Sequence, residues 1–471
     1  MSAEVIGLSI LFLGVALIAG KVVRVYVPVF SKYFLPSSII GGLLVLLIGP
    51  EVLGALSGYF PDGYQMEYGL LNENMLSVFS SLPILLINLI FAALFLGKKI
   101  PDVKKIWSIA GPQVSFGQTV AWGQYVLGLL LAILVLAPFF NANPMVGALI
   151  EIAFEGGHGT SAGLADTFSE LGFEEGVDLA LGLATVGVVS GVIFGVALIN
   201  WAVRKNKTNY LKSPEEFDEN QLRGIIEVED REESGWLTTS PQSIEPLAFH
   251  LSVVGLAILF GWGMLELLIY IESISWGAGD GFKIFAYLPL FPLAMVGGII
   301  IQLFLDRFDN YKIIDRNTIN RIQGLALDFL IVSAIGSLSL QVIGTHIEVF
   351  VLLAMVGICW NIFAFLVIAP RMIPENWVER GIGDFGQSMG MTAAGLMLIR
   401  IVDTEGDAKA MEAFGYKQLL FEPFVGGGLM TAASVPLIYQ FGAVPVLIFS
   451  AVVMVGWSLV GFFHFGRKKE P

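Results

Sequence analysis

The sequence predicts an all-α polytopic membrane protein: two inverted-topology repeats of five transmembrane helices, each with a re-entrant hairpin, plus one extra C-terminal helix. Three observations predict it. The 471 residues are 55% hydrophobic and 14% charged, with a mean hydropathy of +0.77, whereas a soluble domain carries about 25% charged residues. Apolar runs of about 20 residues, long enough to cross a bilayer core as a helix, recur along the whole chain. Two short motifs also return in the same order at equivalent places of the two halves. A transmembrane barrel is excluded because its apolar pattern alternates in segments of about ten residues, and these runs are continuous.

The apolar segments fall at 5–26, 37–57, 75–97, 113–139, 143–170 and 177–203, then at 246–272, 287–305, 323–342, 346–369, 376–400, 417–439 and 443–465. Those at 143–170 and 376–400 are interrupted by glycine and polar residues. A charged stretch at 204–245 opens basic (Arg204, Lys205, Lys207, Lys212) and turns acidic (Glu215, Glu216, Asp218, Glu219, then Glu227 to Glu233). It divides the chain into a first membrane repeat at 1–203, a cytoplasmic linker at 204–245 and a second repeat at 246–439. An additional helix and basic tail follow at 440–471. The start MSAEV lacks a basic region and a small-residue cleavage site, so the first apolar run is expected to stay as a span. Cys359 is the single cysteine; it rules out a disulfide framework and is expected to be buried in packing. The net charge of −14, with its acids in loops, argues against a nucleic-acid partner.

Loop charges set the orientation, because Lys and Arg concentrate on the cytoplasmic side. Lys21, Arg24 and Lys32 follow the first span, and Lys98, Lys99, Lys104 and Lys105 follow the third. The cluster at 204–212 closes the first half. Loops such as PDGYQMEYGLLNEN and NANP carry neither Lys nor Arg, which places the N-terminus outside. Segment 143–170 must then enter and leave on the outer face. In the second half, Arg307, Lys312, Arg316 and Arg321 mark one cytoplasmic loop, Arg371 with Arg380 another, and Arg467, Lys468 and Lys469 the C-terminus. Segment 376–400 therefore enters from the cytoplasm, and the halves are inverted. Pro36-Ser-Ser-Ile-Ile-Gly41-Gly42 returns as Pro292-Leu-Ala-Met-Val-Gly297-Gly298. Thr160-Ser-Ala162-Gly163-Leu164 returns as Thr392-Ala-Ala394-Gly395-Leu396. Inverted repeats with broken helices are a common plan of secondary transporters, whose sites lie near midplane at the repeat interface.

The chemistry-bearing residues gather at the interruptions. Irregular backbone at membrane depth survives only where protein or water lines it, and Gly156, Gly157 and Gly159 permit the break. Amides freed at a half-helix start favour an anion, and the opposed carbonyls can ligate Na⁺. Thr160, Ser161, Ser388 and Thr392 add hydroxyls. His158 fits a proton carrier, a substrate contact or a cap for the hairpin backbone; His250, His346 and His464 sit at span ends with no special role expected. Ionisable residues within spans are functional candidates. Asp328 and Asn88, on corresponding spans of the two halves, would make a Na⁺ or proton site near the hairpin tips, or else an interhelical hydrogen bond. Glu151 and Glu155 share a helical face, with His158 a turn further. Glu422 reads as interfacial, Asp384 and Arg400 flank the second hairpin, and Gly187, Gly191 and Gly195 read as a helix-packing seam. No Walker, Rossmann or nucleophile-elbow motif and no His/Cys metal set appears, so nothing supports an enzyme, and no cofactor beyond a coupling ion is expected.

GGHGT followed by a span containing ATVGVVSGVIFG is similar to the first hairpin and following helix of the bacterial sodium/glutamate symporter family. LPSSIIGGLL resembles that family's Pro-x-x-x-x-Gly-Gly span, and GDFGQSMGMTAAG its second glycine-rich hairpin; the likeness runs from about 36 to 438. It implies Na⁺-driven uptake of glutamate across the inner membrane, two re-entrant loops meeting at the translocation site, and a homodimer. By matching position, Gly156, Gly157, His158, Gly159 and Thr160 would form the first tip, and Ser388, Gly390 and Thr392 would stand in the second. Substrate would meet these residues with Ser161, and Na⁺ would meet Glu155, Thr160, Thr392, Asp328 and Asn88. Glu155 departs from the family pattern by standing where a small hydroxyl residue is expected. In the second hairpin Ser388 and Met391 replace small residues, and Ala393 follows Thr392 in place of proline. A different amino acid or organic anion, or H⁺ coupling through Asp328 or His158, is thereby left open; a sensor or channel is a further alternative.

Overall fold

The computed structural model describes residues 2–32, 35–59, 66–99, 103–208, 224–231, 233–278, 283–403 and 408–466. The charges at Lys212, Glu215, Glu216, Asp218, Glu219, Arg467, Lys468 and Lys469 lie outside the described residues. Within them all regular structure is helical, and ten helices are long and apolar enough to cross a membrane. The first five elements are α1 (Ala3–Tyr26), α2 (Ser37–Ser57), α3 (Glu73–Ala93), α4 (Ile106–Phe140) and the shorter α5 (Pro144–Phe154). Then come α6 (Gly157–Gly163), α7 (Ala165–Glu170) and α8 (Gly176–Arg204). The second half holds α9 (Pro246–Ile274), α10 (Leu290–Phe308), α11 (Arg316–Gly336), α12 (Ile347–Met372), α13 (Trp377–Val402), α14 (Ala410–Phe421), α15 (Leu429–Phe441) and α16 (Ala443–Phe465).

Side chains placed by the sequence start several of these helices. Ser2, Asn72 and Asp315 accept from the backbone N–H of Val5, Met75 and Thr318 at 3.3, 2.9 and 2.7 Å, satisfying amides that have no intrahelical acceptor.

The chain forms two compact units, each drawing helices from both halves. Unit 1 comprises residues 1–100, 162–164 and 218–344 and contains α1, α2, α3, α9, α10 and α11. Its glycine pairs are placed alike. A Cβ on Gly41 would sit 2.7 Å from the Ala16 carbonyl oxygen of α1, and one on Gly297 would sit 2.2 Å from that of Ala257 in α9. Their neighbours Gly42 and Gly298 abut α11 at Ile335 and α3 at Ala92. Each repeated pair thus faces the first span of its own half and the third span of the other. Elsewhere the unit is tied at span ends. The Arg316 guanidinium donates to the Ala93 carbonyl at the end of α3 and the Leu96 carbonyl just past it (2.8 and 2.6 Å), and Glu272 accepts three backbone N–H groups at 284–286. His250 is buried, with Nδ1 2.6 Å from the Pro246 carbonyl and Nε2 accepting from the Asp315 N–H, so it fastens α9 to the start of α11.

Unit 2 comprises 101–161, 165–217 and 345–471. Here the secondary structure departs from the sequence reading at 417–439, which is not one span but two short helices, α14 and α15. Pro423 lacks an amide donor, and Gly426 and Gly427 take φ of +72° and +102°, conformations that L side chains rarely adopt. Cys359 is a second correction: it is exposed on α12 rather than buried, on the outer face of an apolar span whose solvent is lipid. The glycine seam of α8 packs as read, with Gly187 and Gly191 against Met389 and Gly195 against Leu398.

Candidate functional site at the two broken-helix tips

Both interrupted segments contribute to unit 2. In the first, α5 ends at Phe154, the Glu155 and Gly156 amides both bond to the Glu151 carbonyl, and Gly157, where α6 begins, adopts φ +70°. Residues 144–148 and α7 both pack on α15, so the two ends of the segment share one neighbour. The second segment, α13, is helical throughout its 26 residues yet does not run straight. A straight α-helix would separate Gly386 from Gly395 by about 13 Å, whereas a Cβ on Gly386 would lie 2.8 Å from the Gly395 Cα. The arms are folded against each other with the tip near 388–392. The Ser388 carbonyl, freed at this tip, accepts from two side-chain amides, Gln124 of α4 (2.9 Å) and Asn361 of α12 (2.8 Å).

The tips meet. Ser388 Oγ donates to Glu155 Oε1 at 2.5 Å, while Glu155 Oε2 is buried with no hydrogen-bond partner. A turn earlier, Glu151 is saturated: it accepts from the Tyr125 hydroxyl, from Thr431 Oγ1 (2.8 Å) and from the Gly426 N–H (2.9 Å). That set fixes the first hairpin to the break between α14 and α15. At the second tip Thr392 Oγ1 donates to Glu422 Oε1 (2.8 Å) and accepts from Gln418 Nε2 (3.1 Å). Glu422 is buried, which corrects the interfacial placement drawn from the sequence.

The other named residues are more inward-turned. Thr160 and Ser161 donate to the carbonyls of Gly156 and Gly157 at 3.0 and 2.8 Å. His158 Nε2 lies 2.9 Å from Thr185 Oγ1, whose own proton goes to the Leu181 carbonyl. The imidazole therefore donates from Nε2, leaving Nδ1 as a buried acceptor without a partner. Gly159 and Gly390 are buried in the tips, Gly390 against Val188. Asp328 and Asn88 belong to unit 1: Asp328 is exposed, and Asn88 Nδ2 donates to the Ile84 carbonyl of its own helix at 2.9 Å.

The sequence reading missed Lys417 altogether and missed Asp384 as a core group. Both are fully buried, with Nζ 2.7 Å from Asp384 Oδ1 and 2.8 Å from Gln387 Oε1. The repeat carried a signal. The 232-residue offset that superposes Thr160 on Thr392 also places Lys417 on Thr185, the partner of His158. Tyr125, Gln124 and Asn361 were missed because a polar residue in an apolar span does not reveal which neighbour it faces. Around the tips, the buried acids Glu151, Glu155, Asp384 and Glu422 stand against one buried ammonium. Uncompensated charge is costly in such surroundings, so these carboxyl groups call for a proton or a cation. Among the described residues no set of three or more His, Cys, Asp or Glu suited to a bound metal occurs.

The profile of the sodium/glutamate symporter family matches residues 5–403. The chain belongs to the sodium/glutamate symporter family. Relatives agree along nearly their full length. A sodium/glutamate symporter of Escherichia coli is 23% identical over 437 residues, covering 91% of this chain and 95% of the relative. One of Haemophilus influenzae is 22% identical over 408 residues, covering 85% and 88%. Sodium/glutamate symporters are transporters, which agrees with the many apolar spans and with the resemblance read from GGHGT and the two glycine-rich hairpins.

Proposed function

We propose that this protein is a Na⁺-coupled secondary active symporter importing glutamate or a related amino acid or dicarboxylate by alternating access. The observation that carries the reading is the meeting of the two tips at Glu155 and Ser388, with the second Glu155 oxygen buried and unpartnered. A carboxylate held between two broken helices, with carbonyls and hydroxyls beside it, binds a hard cation. Na⁺ there neutralises the acid, so that an anionic substrate can approach Gly156, the amides of Gly157, His158 and Gly159 and the groups of Thr160, Ser161, Ser388, Gly390 and Thr392. Coupling follows from charge, since without Na⁺ the glutamate carboxylate meets a like charge. Glu155, Thr160 and Thr392 are the proposed ion-responsive residues here, and Asp328 and Asn88 a separate ion-sensitive position in unit 1. The remaining features are proposed with it: two inverted repeats (1–203 and 246–439), a cytoplasmic linker at 204–245, an added helix at 440–471, the N-terminus outside and the C-terminus in the cytoplasm, residence in the inner membrane and assembly as a homodimer.

The surplus of buried acids favours a second reading, H⁺ coupling within the same fold, because a proton neutralises Glu155 as a Na⁺ ion does. Uptake into proteoliposomes, screened over amino and dicarboxylic acids with Na⁺ or choline outside, separates the two. The proposal expects concentrative glutamate or dicarboxylate uptake only with Na⁺; unchanged uptake in choline would overturn Na⁺ coupling.

A further inference from the structure

Lys417 lies beyond the residues 5–403 that match the family profile, and its surroundings do not suit an anchor for an anion. Its ammonium has three protons to donate. It donates to Gln387 Oε1 (2.8 Å) and forms an ion pair with Asp384 Oδ1 (2.7 Å), whose two carboxylate oxygens are buried without a hydrogen-bond partner. The third side is closed by the Phe421 ring, whose centroid is 4.0 Å from Nζ, with Phe414 at 5.5 Å. The ammonium is thus enclosed by Asp384, Gln387 and two aromatic rings. Each group facing Nζ is instead one that attracts a cation: a carboxylate, an amide oxygen and two aromatic faces. The side chain reaches this position across α4 because residue 117 is glycine; a Cβ there would lie 2.6 Å from the lysine Cε and 2.8 Å from Nζ.

We propose that Asp384 and Gln387 form a cation site on the second hairpin and that the Lys417 ammonium fills it as a tethered substitute for a Na⁺ ion. The tether holds α14 to the folded arm of α13, the task a bound ion would perform with an entry and exit at every cycle. The other charged groups near the pair are Arg380, one turn before Asp384, and Glu155 on the first hairpin. Arg380 donates to the Gln113 side chain and the Ile109 carbonyl of α4, so it acts on Asp384 as a nearby charge, whereas Lys417 is in direct contact. The repeat is asymmetric in the corresponding way, since the position equivalent to Lys417 carries the neutral Thr185 bonded to His158. The inference shares with the symport reading only the premise that Na⁺ reaches the hairpin region.

The test compares the purified full-length protein with Lys417→Met and with the double variant Lys417→Met/Asp384→Asn. Thermal unfolding is followed in detergent at alkaline pH, in NaCl against choline chloride at equal ionic strength. Lys417→Met leaves Asp384 bare, so it should gain a Na⁺-dependent rise in melting temperature larger than that of the parent, with Na⁺ binding detectable by isotope. The double variant removes both charges and should return to the parent's Na⁺ response. A Lys417→Met response equal to the parent's, or an enlarged response that persists in the double variant, would overturn the proposal. Should Lys417→Met fold too poorly to purify, Asp384→Asn/Lys417→Met against Asp384→Asn alone decides: the proposal expects the double variant to be the better folded of the two, and equal or worse folding contradicts it. A parent with no Na⁺ response of its own would count against the symport reading while leaving this comparison intact.

Discussion

The two units solve the same problem, packing helices in lipid, with different cores. In unit 1 the buried ionisable groups named among the core residues are His250 and Glu272, and both bond backbone groups at span ends. Its helices close on one another through glycine pairs and apolar side chains, such as the cluster of Ala92, Ala93, Leu96, Val254, Ala257 and Ala294. Unit 2 buries Glu151, Glu155, His158, Glu379, Asp384, Lys417 and Glu422 beside three interruptions of helical backbone. A scaffold gains nothing from that arrangement, because ionisable groups in a membrane interior are expensive. On this contrast we propose that binding belongs to unit 2 and framework to unit 1.

Substitutions can break that contrast. The largest effect is expected at Glu151→Ala, which strips an acceptor from the Tyr125 hydroxyl, the Thr431 hydroxyl and the Gly426 N–H at once. A lost buried partner costs about 1–3 kcal/mol per stranded group, so the variant should lose folded protein, measured by monodisperse yield and thermal unfolding. Gly187→Ala comes next, since its Cβ would sit 2.3 Å from the Met389 carbonyl oxygen. It should lower yield and melting temperature, and purified protein of parental stability would show that the seam can move apart. Thr160→Val and Thr392→Val should each weaken Na⁺-dependent uptake about three- to tenfold, the value of one modest hydrogen bond. The Thr392 variant should be the worse, because its hydroxyl bonds Glu422 across the tip while that of Thr160 bonds its own arm. Parental uptake in both would remove the hairpins from the site.

The smallest effect belongs to the framework. Asp315 lies outside the spans, and although partial burial raises its carboxyl, hydrogen bonds from Thr318 and Trp236 hold it below the usual aspartate value. A lowered folded-state value means that the stabilisation is present above the unfolded value and is lost as the pH falls through the folded one. Asp315→Asn should therefore cost well under about 1 kcal/mol at neutral pH, this being a solvent-screened N-cap that Asn also serves. The deficit should vanish in acid, and a deficit that grows there would show a different role for the residue.

Much of the fold is legible in the sequence. Hydropathy located the ten long helices because lipid demands a continuous apolar stretch, and glycine clusters located both folded tips because only such backbone breaks cleanly. Glu155 stood out as an acid where a hydroxyl was expected. The break at 422–428 escaped notice because Gly426-Gly-Gly sits in an otherwise apolar run and reads as part of a span. Lys417 escaped because a lysine at a span end reads as an anchor; only its contact with Asp384, 33 positions earlier in the chain, shows it to be buried. Spacing along one helix cannot report pairing between elements, and the site is made of such pairings: Glu155 with Ser388, Glu151 with Gly426, Thr392 with Glu422.

The most direct test is the Na⁺ activation of substrate uptake by Glu155→Gln, set against Asp328→Asn and the parent in proteoliposomes of equal protein content. If the broken-helix tips of unit 2 form the ion-coupled site, Glu155→Gln loses Na⁺ stimulation while Asp328→Asn keeps it in weakened form. Parental Na⁺ stimulation in Glu155→Gln would contradict the account.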